Sequence, residues 1–124
     1  MTSAENKRIL AVVEDLFFTV KINESAKRAG MPIKFVKSEQ DALVGAADQP
    51  ALIIVDLNCG RIDPVKLITS LKANAETKEI NLIGYLSHLQ AELKQQAQEA
   101  GCDMVMARSA FSQNLPQILK RYSS

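Results

Sequence analysis

The sequence predicts an α/β protein: a three-layer sandwich in which a five-stranded parallel sheet, in the order 2-1-3-4-5, lies between five helices. Three observations predict it. Short apolar runs alternate five times with stretches of helical period, and the connections between them are brief. The run at 51–55, Ala-Leu-Ile-Ile-Val, is apolar without interruption, as a strand covered on both faces must be. Such strands join in parallel through right-handed helical crossovers.

The elements follow in chain order. Residues 8–13 (Arg-Ile-Leu-Ala-Val-Val) form the first strand, closed by Glu14 and Asp15. From Leu16 to Ala29, Phe18, Ile22, Ala26 and Ala29 recur at helical spacing with Lys21, Glu24, Lys27 and Arg28 between them, and Gly30 stops the pattern. In 32–36, Ile33 and Phe35 alternate with polar neighbours, which suits an edge strand. Ser38 reads as the N-cap of a helix over 39–47 that turns Ala42, Leu43 and Ala46 inward. Asp48, Gln49 and Pro50 then break the chain before the central strand, which ends abruptly at Asp56.

Asp63 followed by Pro64 gives an N-cap and a first-turn proline for the third helix, with Val65, Leu67, Ile68 and Leu71 facing in. Residues 80–86 are the fourth strand, where Gly84 permits close approach and Ser87 ends the run. A fourth helix starts near His88 and carries Leu89, Leu93, Ala97 and Ala100 on one face until Gly101. Residues 103–107 are the fifth strand. Ser109 is expected to cap the last helix, which bears Leu115, Ile118 and Leu119; Pro116 belongs near its start.

Composition narrows the function. A chain of 124 residues, 47% apolar and 23% charged, fits one domain with a core that needs no staple. With 15 basic and 14 acidic side chains the net charge is +1, so no basic face recommends nucleic acid or an anionic membrane as a partner. The N-terminal residues lack a signal peptide's apolar segment and no run approaches a membrane span; a cytoplasmic location is expected. Cys59 and Cys102 lack metal-ligand spacing and read as reduced thiols, and His88, the one histidine, rules out a multi-histidine metal site. Phe17, Phe18 and Phe111 read as ordinary hydrophobes, and His88 is given no role.

The chemistry gathers at the sheet's carboxyl edge. In this strand order the first and third strands are neighbours, so Glu14, Asp15 and Asp56 converge at the place where open α/β sheets bind ligands. Three adjacent carboxylates repel one another unless a divalent cation neutralises them, and an all-oxygen donor set favours Mg²⁺. A carboxylate beside such a cation can attack phosphorus to form an aspartyl phosphate, with Asp56 the expected nucleophile. Ser87, after the fourth strand, could bond a phosphate oxygen, and Arg108, after the fifth, could pair with it. The bland alternatives are a turn acid for Asp56, first-turn helix acids for Glu14 and Asp15, an N-cap for Ser87 and a solvated side chain for Arg108.

With these residues in place, the chain resembles the receiver domains of bacterial response regulators, CheY-like and flavodoxin-like in fold, over residues 7–122. The acidic pair appears as Glu14-Asp15 and the phosphoacceptor as Asp56; the resemblance makes the backbone carbonyl of Asn58 a further metal ligand. The family's Ser or Thr after the fourth strand corresponds by spacing either to Ser87 or to Leu86, and its lysine after the fifth strand to Arg108, which is not an equivalent cation. Ser109 stands where a proline usually follows, Val105 where an aromatic switch residue is usual, and Gly60 and Pro64 depart from the usual acceptor loop. The resemblance implies a stand-alone receiver phosphorylated by a sensor histidine kinase or phosphotransfer protein, acting on a downstream protein target; the oligomeric state stays open, a homodimer included.

Two rival readings have their own marks. A pseudo-receiver that binds partners without phosphorylation fits the altered lysine, proline and aromatic positions. A phosphatase with an aspartate nucleophile would need a second aspartate two residues after the first, where this chain has Asn58, so no enzymatic turnover is expected.

Overall fold

The computed structural model describes residues 8–87 and 90–123. Its elements alternate strictly: β1 (Ile9–Val12), α1 (Leu16–Ala29), β2 (Ile33–Val36), α2 (Glu39–Ala47), β3 (Leu52–Asp56), α3 (Pro64–Ala73), β4 (Asn81–Leu86), α4 (Ala91–Ala100), β5 (Met104–Ala107) and α5 (Arg108–Ser123). The strands form one parallel sheet in the order β2-β1-β3-β4-β5, as the sequence predicts. All residues of β1 and β3 are buried, whereas β2 and β5, at the edges, keep partly wet faces.

A strand without polar alternation needs two covers, and each face of the sheet has one. On one face Leu10, Val12, Ile53 and Val55 pack against Ala42 and Ala46 of α2, Leu67, Ile68 and Leu71 of α3, and Ala97 of α4. On the other, Ile9, Ala11, Ile54 and Tyr85 meet Phe18, Ile22 and Ala26 of α1 and Phe111, Leu115 and Leu119 of α5. Parallel pairing sets Val12 beside Val55 and Asp56 beside Tyr85, so the carboxyl ends of β1, β3 and β4 form one rim.

Local chemistry fixes the helix ends. Asp15, Ser38 and Asp63 each accept a backbone N–H at the start of α1, α2 and α3. Gly30 and Gly101 close α1 and α4 with φ of 72° and 114°, backbone that side chains with a Cβ avoid. Within β4, a Cβ on Gly84 would stand 3.0 Å from the Leu57 side chain, so the close approach there is by that leucine.

Several expectations need correction. The fifth helix begins at Arg108, directly from β5, which puts Ser109 in its first turn instead of at the cap. Pro116 sits in the body of this helix, where its missing N–H leaves the Ser112 carbonyl without the usual intrahelical donor. The N-cap of α4 is Gln90, without a side-chain cap bond, so Ser87 does not cap that helix. His88 and Leu89, expected at its start, lie outside the described residues. Leu43 stays exposed because α2 packs through Ala42, Gly45 and Ala46, and Val65 is only half-buried. Among the described residues no helix is long and apolar enough to cross a membrane.

Candidate functional site

Asp56 is the last residue of β3 and only 4% exposed. Its Oδ1 accepts the N–H of Asn58 at 2.9 Å, a tight turn made possible because the strand stops there. Burial pushes the Asp56 pKa above its ordinary 3.8; the Asn58 N–H and the Arg108 guanidinium pull it back, and Asp15 and Glu14 push it up. The three carboxylates therefore share one electrostatic neighbourhood, as the strand order requires.

Each member of the acid pair nevertheless has its own partners. Glu14 accepts the Gly60 N–H at 3.1 Å through Oε1 and pairs with Arg61 Nε at 3.0 Å through Oε2. Asp15 divides its oxygens too: Oδ1 accepts the Phe17 N–H at 2.8 Å and so caps α1, while Oδ2 accepts from the Arg108 guanidinium at 3.0 Å. Asp15 is thus the N-cap of α1 and not a first-turn acid, and its second oxygen is left for a cation.

Arg108, expected beside a phosphate, is held against Asp15. Its guanidinium carbon lies 5.0 Å from the centre of the Phe18 ring. Phe18 stacks on Tyr85 at 4.9 Å, and Tyr85 on Phe111 at 4.8 Å. Two polar atoms of this assembly, Arg108 Nε and the Tyr85 hydroxyl, are buried without a hydrogen-bond partner. Burial and the nearby Asp56 charge raise the Tyr85 pKa well beyond its ordinary range, so the phenol stays protonated.

The β4 register separates Leu86 from Ser87. Leu86 ends the strand opposite Ala107, 3% exposed, with its side chain in the core beneath α3 and α4. Ser87 is the first residue beyond it. Its backbone N–H donates to Asn58 Oδ1 at 2.7 Å, and Asn58 Nδ2 donates in turn to Gln90 Oε1 at 2.8 Å. Ser87 also lines a cleft of about 460 Å³ together with Asp15, Phe17, Phe18 and Arg108.

Among the described residues no three acidic, thiol or imidazole side chains are already gathered as a metal cage, and Glu14 and Asp15 are each paired with an arginine. The donor chemistry still fits a hard divalent cation: every candidate ligand is an oxygen, and such an ion would offset both the burial that chiefly raises the Asp56 pKa and the lesser repulsion from Asp15 and Glu14. Sequence reasoning did not single out Arg61, Gln90 or Tyr85. Arg61 could have been noticed as a basic residue in the loop after Asp56, whereas Gln90 and Tyr85 carry no signal apart from the fold.

No family model matches the sequence, and no curated protein sequence does so. Solved structures do. A response regulator from Hahella chejuensis superposes with a TM-score of 0.82 at 17% identity, covering 94% of each chain. The chemotaxis response regulator CheY4 of Vibrio cholerae gives 0.79 at 17% identity, over 93% of this chain and 97% of that one. The Mn²⁺-bound form of another response regulator gives 0.76 at 18% identity, over 93% and 90%. The fold is that of the CheY-like response regulator receiver domains.

Proposed function

We propose that this chain works as a divergent response regulator receiver, with Asp56 accepting a phosphoryl group from the phosphohistidine of a sensor histidine kinase or phosphotransfer protein. The observation that carries this reading is the buried Asp56 at the end of β3, electrostatically coupled to Glu14 and Asp15. Asn58 engages Oδ1, so Oδ2 is the oxygen that attacks phosphorus as the bond to the histidine nitrogen breaks. Glu14, Asp15, Asp56 and the Asn58 carbonyl would hold Mg²⁺, whose positive charge would offset that of the carboxylates and of the incoming phosphoryl group. A donor must reach Asp56 across the start of α1, where Leu16, Phe17 and Val20 expose apolar contact area.

The added negative charge offers Arg108 a second anion and the Ser87 hydroxyl an acceptor. Arg108 is the first residue of α5 and Ser87 is tied to Asn58 and, through it, Gln90, so both ends of the α4–β5–α5 face feel the change. A downstream protein would read that face, by a shift between two loop arrangements. Acetyl phosphate with Mg²⁺ should add one phosphoryl group to the intact mass, and Asp56→Asn or chelation should prevent it. An unchanged mass for the wild-type chain would overturn the reading.

A second reading is favoured by a specific observation: the acid pair already holds two guanidinium groups, and Leu86 puts a buried hydrocarbon at the strand end. These suit an interaction module that works without phosphorylation. Under it, Mg²⁺ titration leaves the amide resonances of Asp15 and Asp56 unmoved.

A further inference from the structure

We propose that Arg108 is a built-in counter-cation for Asp15, and that a divalent metal binds the strand-end acids only by displacing it. The inference rests on the receiver reading and gives this chain's site a gate of its own. Both oxygens of Asp15 are engaged, and they are not equally replaceable. Giving up the Phe17 N–H uncaps α1; giving up the guanidinium costs an ion pair that an incoming metal restores. Arg108 is therefore the partner that leaves.

Two features make Arg108 a stronger competitor than Arg61, and a third sets it apart from a lysine at the same place. Its side chain is 37% exposed against 67% for Arg61, so its pair with Asp15 is less screened by water. Its guanidinium lies over Phe18, which continues into the ring stack of Tyr85 and Phe111 and holds it in place. Its planar fork also occupies more room beside the carboxylate than a lysine ammonium would. The pose is nonetheless incomplete, because Arg108 Nε is buried with nothing to bond. An anion arriving on the rim would give that donor a partner, so phosphoryl uptake and metal entry both favour the arginine's departure.

Mn²⁺ binding, read by the loss of the free-ion electron paramagnetic resonance signal, tests this without any phosphoryl transfer. Arg108→Met keeps an apolar stem over Phe18 and should bind Mn²⁺ roughly tenfold or more tightly than wild type, which corresponds to about 1.4 kcal/mol. Arg108→Lys should fall between them, and serves if the methionine variant melts below the assay temperature. Arg61→Met should gain less than Arg108→Met, and Asp15→Asn in the Arg108→Met background should cancel the gain. Equal Mn²⁺ affinity in wild type and both Arg108 variants, including no binding by any of them, would overturn the proposal. Acetyl phosphate labelling run in parallel separates the two ideas: labelling of wild type with no gain in Mn²⁺ affinity removes the gate and keeps the receiver, whereas a gain without labelling keeps the gate and removes the phosphoacceptor.

Discussion

At the scale of one residue, the position of Asp56 has a thermodynamic signature. A carboxyl whose pKa is raised by burial binds its proton more readily in the folded chain than in the unfolded one. Folding is therefore penalised wherever Asp56 is ionised: the penalty is full above the raised pKa and fades as the pH falls through it toward the ordinary 3.8. Asp56→Asn keeps a carbonyl oxygen for the Asn58 N–H while removing the desolvated charge and its repulsion with Glu14 and Asp15. The variant should melt above wild type at neutral pH, with the difference shrinking on acidification. Thermal melts across that range check it, and a variant that melts lower at neutral pH would show that the ionised carboxylate is stabilised by contacts stronger than its burial.

At the scale of the element, the sequence was informative wherever the determining interaction is local. The caps at Ser38 and Asp63 and the stops at Gly30 and Gly101 depend on backbone groups a few residues away, and the structure has them where the pattern required, whereas Asp15, read from the sequence as a ligand or a first-turn acid, is the N-cap of α1. Ser109 misled because β5 passes straight into α5, so the helix start is set by the strand before it and not by the preferred capping side chain. The pair between Arg108 and Asp15 spans 93 positions in the chain and has no local signal at all; only the strand order hinted that the two ends could meet. The choice between Leu86 and Ser87 was likewise beyond spacing, since one residue of register exchanges the two faces of a strand. The register found here makes Leu86 a core residue, so Leu86→Thr should destabilise by about 2–4 kcal/mol through a lost hydrocarbon and a buried hydroxyl. Urea denaturation measures this; a cost below about 1 kcal/mol would mean that the side chain at 86 can turn to the rim and serve as the hydroxyl residue there.

At the scale of the whole molecule, the sheet divides into a firm centre and a softer flank. The three inner strands, β1, β3 and β4, are buried along nearly their whole length, while β5 is paired on one side only and leaves Met104 and Ala107 exposed. The residue that closes the acidic rim, Arg108, belongs to the softer part, immediately after β5, whereas Asp15 and Asp56 are anchored to the firm part. The Arg108–Asp15 pair thus ties the softer flank to the firm centre, and its exchange for another partner can draw on a flank motion that partial opening supplies without unfolding the core. Amide hydrogen exchange should show it: the hydrogen-bonded amides of β5 and of the second turn of α5 should exchange roughly tenfold or more faster than those of β1 and β3. Protection as high in β5 as in β3 would mean that the flank opens only when the whole domain does. Arg108 could then leave Asp15 only by rotation of its own side chain, and a change at Asp56 would reach the α4–β5–α5 face only through the Asn58 bonds to Ser87 and Gln90.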